Sequence, residues 1–264
     1  MTTATAPTPT AAHARPEPAA TSPSLARLTQ VELRKLADTR AGRWLLITIG
    51  LIAVAIVVVQ LFVTDAAEQT FSAFFEPSLL PVGLLLPVLG ILSITSEWSQ
   101  RTALTTFALV PRRERVIVAK LTAVVLAALG SVLVSLVVAA AGTLAAKATG
   151  GAGAWTFDWR MLPHAAVFQV GSVLLGAGFG LLLLNTPLAI VTYLLLPTVW
   201  SVLAAMIEGL RGPARWLDTS YTMGALLGPD VTAGQWARLG VSLVVWVLLP
   251  LVAGLFRTLR REVS

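Results

Sequence analysis

Leu181-Leu182-Leu183-Leu184-Asn185-Thr186-Pro187-Leu188-Ala189-Ile190 decides the fold, because it is the only interruption in an apolar run from Pro163 to Ile207. One helix of that length would measure roughly 65 Å, about twice the thickness of a bilayer's hydrocarbon core. A tight turn at Asn185 to Pro187 removes the mismatch, with Pro187 opening the second helix where its missing N–H costs little. The run then supplies two spans, Pro163 to Leu184 and Leu188 to Ile207. A single Pro-kinked span is the weaker reading.

Four further stretches are long and apolar enough to cross: Trp44 to Val63, Leu79 to Thr95, Val116 to Thr143 and Leu239 to Phe256. Of the 264 residues 56% are hydrophobic and 12% charged, far from the averages of soluble domains. The sequence predicts an all-α integral membrane protein with six transmembrane helices. With six spans both termini share a side. On it lie Arg15, Arg27, Arg34, Lys35, Arg40, Arg43, Arg101, Arg112, Arg113, Arg115, Lys120, Arg257, Arg260 and Arg261, against Lys147, Arg160, Arg211, Arg215 and Arg238 opposite. Positive charge resists translocation, so both termini are expected in the cytoplasm of a multi-pass plasma-membrane protein. The formal charge of +6 follows from this bias and is no sign of nucleic-acid binding.

Residues 1–23, rich in Ala, Thr and Pro, read as a disordered cytoplasmic tail, and residues 24–264 as the six-helix domain. Ser24 to Arg40 reads as a helix with Leu25, Leu28, Leu33 and Leu36 on an apolar arc, Arg27, Arg34 and Asp38 opposite, and Glu32 intruding on the apolar side. Two readings fit. One is an interfacial helix whose Leu25, Leu28 and Leu36 enter the acyl boundary while Arg34 and Lys35 meet anionic headgroups. The other is an ordinary juxtamembrane helix.

Between spans two and three lies Ser96-Glu97-Trp98-Ser99-Gln100-Arg101-Thr102, continuing to Pro111-Arg112-Arg113-Glu114-Arg115, a polar segment that must sit in water. Thr102 to Val110 suits a short helix ended by Pro111, with Leu104, Phe107 and Ala108 as a ridge and Thr105 and Thr106 polar. Such a helix can dock in a groove of a cytoplasmic partner. A charged loop that only enforces topology fits the residues equally well.

The order Ser-Glu-Trp, Arg101-Thr102, Thr105-Thr106-Phe107-Ala108-Leu109, Pro111-Arg112-Arg113 and Ala119-Lys120-Leu121 resembles the type 2 ABC transporter permease family. The resemblance extends over most of the chain, including Val31-Glu32-Leu33-Arg34-Lys35-Leu36 ahead of the first span. It implies that Glu97, Arg101, Thr102, Thr105, Thr106, Phe107, Arg112 and Arg113 carry a coupling helix touching a separate cytoplasmic ABC ATPase subunit. It also implies a second permease subunit, identical or not, and short helices capping the outer exit within Glu208 to Arg238.

A P-loop needs Gly-Lys-Ser/Thr, but Lys35, Lys120 and Lys147 follow Arg34, Ala119 and Ala146. No enzymatic activity and no cofactor are therefore expected of this chain, and ATP and magnesium are expected in the partner. With only His13 and His164, and no cysteine, a zinc site is not expected. The spans carry few ionisable groups, which disfavours proton-coupled transport, and Lys120 is expected to snorkel to the inner surface. Gly176 and Gly180 share a helix face that suits either packing within one bundle or a dimer seam. The expected function is the permease subunit of an ABC exporter. The alternatives are a membrane-anchored assembly protein without transport activity and a secondary transporter.

Overall fold

The computed structural model describes residues 23–100 and 112–260, and every regular element among them is helical. The segment 101–111, where the coupling helix and Arg101, Thr102, Thr105, Thr106 and Phe107 were expected, lies outside the described residues, as do 1–22 and 261–264. Among the described residues, six helices are long and apolar enough to cross a membrane.

Helix α1, Leu25–Asp38, starts at Ser24, whose hydroxyl accepts the Arg27 N–H. Thr39 has extended backbone, ends α1 and caps α2, Arg40–Val63, by accepting the Gly42 N–H. Helix α3, Phe71–Ser99, begins eight residues before the expected span. Its first turns hold Glu76 and Pro77, which break the hydropathy, yet Phe71, Phe74 and Phe75 are buried there. Helix α4, Arg113–Ala148, has 36 residues and at about 54 Å outruns the hydrocarbon core at its ends.

The deciding turn forms where the sequence places it. Helix α5, Met161–Leu183, closes at Leu184, which is left-handed at φ 51°, and α6, Thr186–Met206, opens with the Asn185 side chain accepting the Leu188 N–H at 3.0 Å. Pro187 lies in the first turn of α6, so no internal hydrogen bond is lost. Between α6 and the last span come two short helices, α7, Arg211–Leu217, and α8, Thr219–Gly224, flanked by 3-10 turns. The last span is α9, Ala233–Leu243, then a π turn, Val244–Leu248, then α10, Leu249–Arg260. Pro250 lies two residues past the end of the π turn, which contains the residue four before it, Trp246. A proline cannot donate to the residue four back and crowds its carbonyl, and a wider turn accommodates both defects.

Helices α3 and α5 form the centre, with 67% of their apolar windows buried, whereas α2 and α6 bury only 17%. Small residues let α5 fit between its neighbours. A Cβ on Gly176 would lie 2.5 Å from the Pro87 carbonyl oxygen of α3, one on Gly180 3.3 Å from Ile91 Cα, and one on Gly178 3.2 Å from Pro250 Cβ of α10. Gly176 and Gly180 thus pack against α3 of the same chain. The first and last described residues lie near one end of the bundle, where Arg113 Nη1 approaches Thr258 O and Arg115 Nη2 donates to Pro23 O at 2.7 Å.

Candidate functional site

The charged groups of the terminal end converge at the junction of α1, α3 and α4. Glu32 and Lys35 come from α1, Glu97 from the last turn of α3, and Lys120 from the second turn of α4. Lys120 Nζ donates to Glu32 Oε2 at 2.8 Å, to Glu97 Oε1 at 3.1 Å and to Ser93 O at 2.9 Å. An ammonium has three N–H groups, so every donor of Lys120 is engaged. Lys35 Nζ donates to Glu32 Oε1 at 2.7 Å and to Glu97 Oε1 at 3.0 Å, so the two carboxylates and two ammoniums close a neutral ring. The side chains of Glu32 and Lys120 are each only 7% exposed, whereas that of Lys35 is 44% exposed.

Burial alone would lower the pKa of Lys35, but its hydrogen bonds to Glu32 and Glu97 outweigh that and raise it, which keeps its ammonium charged. Buried pairs of this kind contribute little net stability over an apolar core but cost several kcal/mol when one member is removed. What the ring supplies is position: it ties α1 to the ends of α3 and α4. A cleft of about 270 Å³ lined by Glu32, Lys35, Thr39, Ser93, Ser96 and Lys120 runs beside it. Thr186 Oγ1, at the start of α6, reaches Thr95 Oγ1 at 2.7 Å and Ser99 Oγ at 3.1 Å, so the end of α3 is tied to α6 as well.

The expectation that Lys120 snorkels is corrected: its ammonium turns into the bundle because two carboxylates and a carbonyl wait there. Sequence reasoning missed the pairing. Its signal was two opposite charges set where apolar residues belong, Glu32 on the apolar arc of α1 and Lys120 near the head of an apolar run. Of the other expected site residues, Leu36 is buried against the bundle, Leu28 is half-buried, and Leu25 and Arg34 are exposed. Arg112 is exposed and Arg113 half-buried at the start of α4.

A second feature is an apolar cleft of about 430 Å³ between α3, α5, α6 and α8, floored by Phe168 and Tyr193 and roofed by Thr219, Ser220, Met223 and Leu227. Among the described residues no charged side chain lines it. At the far end, Arg160 bridges Asp158 (2.6 Å) and Asp230 (2.8 Å), and His164 Nδ1 meets Gly228 O at 3.0 Å, tying α5 to the connection between α8 and α9. The hydrogen bonds from Arg160 hold the Asp158 carboxyl below the usual range. No group of His, Cys, Asp or Glu that could hold a metal ion occurs among the described residues.

Compared with known proteins, the chain matches no protein-family model and no curated protein. The fold and site define a multi-pass membrane protein with six membrane-length helices among the described residues and an ion ring where α1 meets the ends of α3 and α4.

Proposed function

We propose that the chain is the permease subunit of an ABC exporter, coupled to a separate cytoplasmic ATPase that holds ATP and magnesium, and paired with a second permease subunit. The observation that carries the reading is the ion ring: it joins α1 to the last turn of α3, directly ahead of segment 101–111, where the resemblance puts the coupling helix. A force applied to that segment by a closing ATPase reaches Glu97 first and passes through Lys120 and Lys35 to α4 and α1. Helix α1 continues through Thr39 into α2, and Thr95 and Ser99 continue into α6, so the same push tilts spans one, two and five. The uncharged cleft between α3 and α6 suits an apolar cargo, and the short helix α8, which borders it, suits the outer cap that the resemblance implies. In this reading both termini are cytoplasmic, the membrane is the plasma membrane, and α1 lies along its inner leaflet with Arg34 toward the headgroups.

Purification of the tagged chain from native membranes in mild detergent, with mass spectrometry of what accompanies it, tests the proposal. A soluble ATPase in stoichiometric amount is the expected result. Repeated recovery of the intact chain without one would overturn it in favour of an assembly protein.

A further inference from the structure

Helix α3 carries Pro77, Pro81 and Pro87 within its length. A proline has no N–H to offer the carbonyl four residues before it, so Pro87 leaves the Gly83 carbonyl without its helical donor. In an apolar span such a group needs another partner. The structure supplies one from a different helix: the Tyr193 hydroxyl of α6 shares its single O–H between Gly83 O at 3.4 Å and the adjacent Leu84 O at 3.0 Å. On the opposite side, the absence of a side chain at Gly176 lets α5 close on the backbone of Pro87. Gly83 of α3 is as tight, against Phe168, and Gly90 less so, at 3.1 Å from Val173 O. The break in the α3 hydrogen-bond ladder is thus clasped between Gly176 of α5 and one hydroxyl of α6.

We propose that Tyr193 is a positioning residue, a stitch that holds the Pro87 break of α3 to α6 and thereby sets the pose of the α3 end that bears Glu97. Tyr193, Gly83 and Leu84 all line the apolar cleft, while Glu97 stands ten residues beyond Pro87 in the ion ring. The lower arm of α3 is a rigid lever of about 15 Å between them. Separation of α6 from α3 at the cleft removes the stitch, lets α3 bend at Pro87, and moves Glu97 against Lys120 and Lys35. The inference concerns the mechanics of this chain and stands independently of whether an ATPase drives them.

The chain has no cysteine, so a single introduced thiol reports cleanly. Ser96→Cys, in the cleft beside the ion ring, is labelled with a water-soluble maleimide in lipid nanodiscs. Tyr193→Phe keeps the ring and removes only the hydroxyl, and should speed labelling by roughly two- to tenfold, the range expected for one neutral hydrogen bond. Thr198→Val, which lines the same cleft and bonds only within α6, should leave the rate unchanged. Pro87→Ala restores the N–H for Gly83, so in that background the effect of Tyr193→Phe should fall by half or more. An unchanged rate in Tyr193→Phe overturns the proposal. So does an equal increase in both backgrounds, because general loosening of the fold would not depend on Pro87.

Discussion

Replacing Lys120 by methionine keeps the aliphatic stem and deletes three hydrogen bonds, to Glu32, Glu97 and Ser93 O. Glu32, whose side chain is 7% exposed, then keeps Lys35 in place of two ammonium partners among the described residues. Removing one member of a buried pair costs about 3–5 kcal/mol. Lys35 already contacts both carboxylates, which favours the lower end, about 3 kcal/mol. That cost is relieved most cheaply by letting water reach Glu32. Helix α1 buries only Thr29, Glu32 and Leu36, so it lifts off while the α3–α5 centre stays packed. At 1.4 kcal/mol per factor of ten, its opening equilibrium rises by roughly 100-fold. Hydrogen exchange read by mass spectrometry in nanodiscs measures this directly. Protection across Leu25–Asp38 should drop by about that factor, with Met161–Leu183 unchanged. Lys120→Met combined with Glu32→Gln should regain most of the protection, since a neutral amide needs no counter-charge. If α1 in the single variant stays within twofold of the parent, the ring is not what holds it.

Gly176→Val places a branched side chain against the Pro87 backbone and should destabilise the monomer by about 1–3 kcal/mol in a denaturation titration, whereas Gly224→Ala, with open space around it, should be neutral or slightly stabilising. A Gly176→Val variant that altered only oligomeric state would contradict the packing against α3. Asn185→Ala removes the cap of α6 and should cost about 1 kcal/mol, read as a lower denaturation midpoint with both spans retained. For pH, the sign follows from Lys35. Its folded-state pKa is raised, so its contribution is complete below the unfolded value of about 10.4 and fades as pH climbs through the folded one. Protection of α1 should therefore be flat from about pH 6 to 9 and weaken only in stronger alkali, and a loss near pH 8 would contradict the assignment.

Local chemistry made the span count legible. Apolar runs of the right length, the Asn185-Thr186-Pro187 break and the Ser24 start of α1 act over a few residues, and each appears in the structure within a turn or two. The exceptions are physical. Helix α3 runs eight residues further back than its hydropathy suggests because Glu76 and Pro77 mask helical turns that Phe71, Phe74 and Phe75 bury. The last span starts early because the capping box of Thr232 and Gln235 opens a helix ahead of the apolar residues.

By itself the sequence determined the class, an all-helical chain with six membrane-length helices and a turn at Asn185, because hydropathy and turn chemistry are local properties. Tertiary structure alone decided the contacts. Helices α3, α4 and α5 are apolar all round, so their periodicity names no inward face, and the rotation that brings Lys120 to Glu32 across 88 residues arises only when the helices pack. The same holds for Tyr193 on Gly83 and Gly176 against Pro87. Each joins groups far apart in the chain, and each follows from close packing that no single segment encodes.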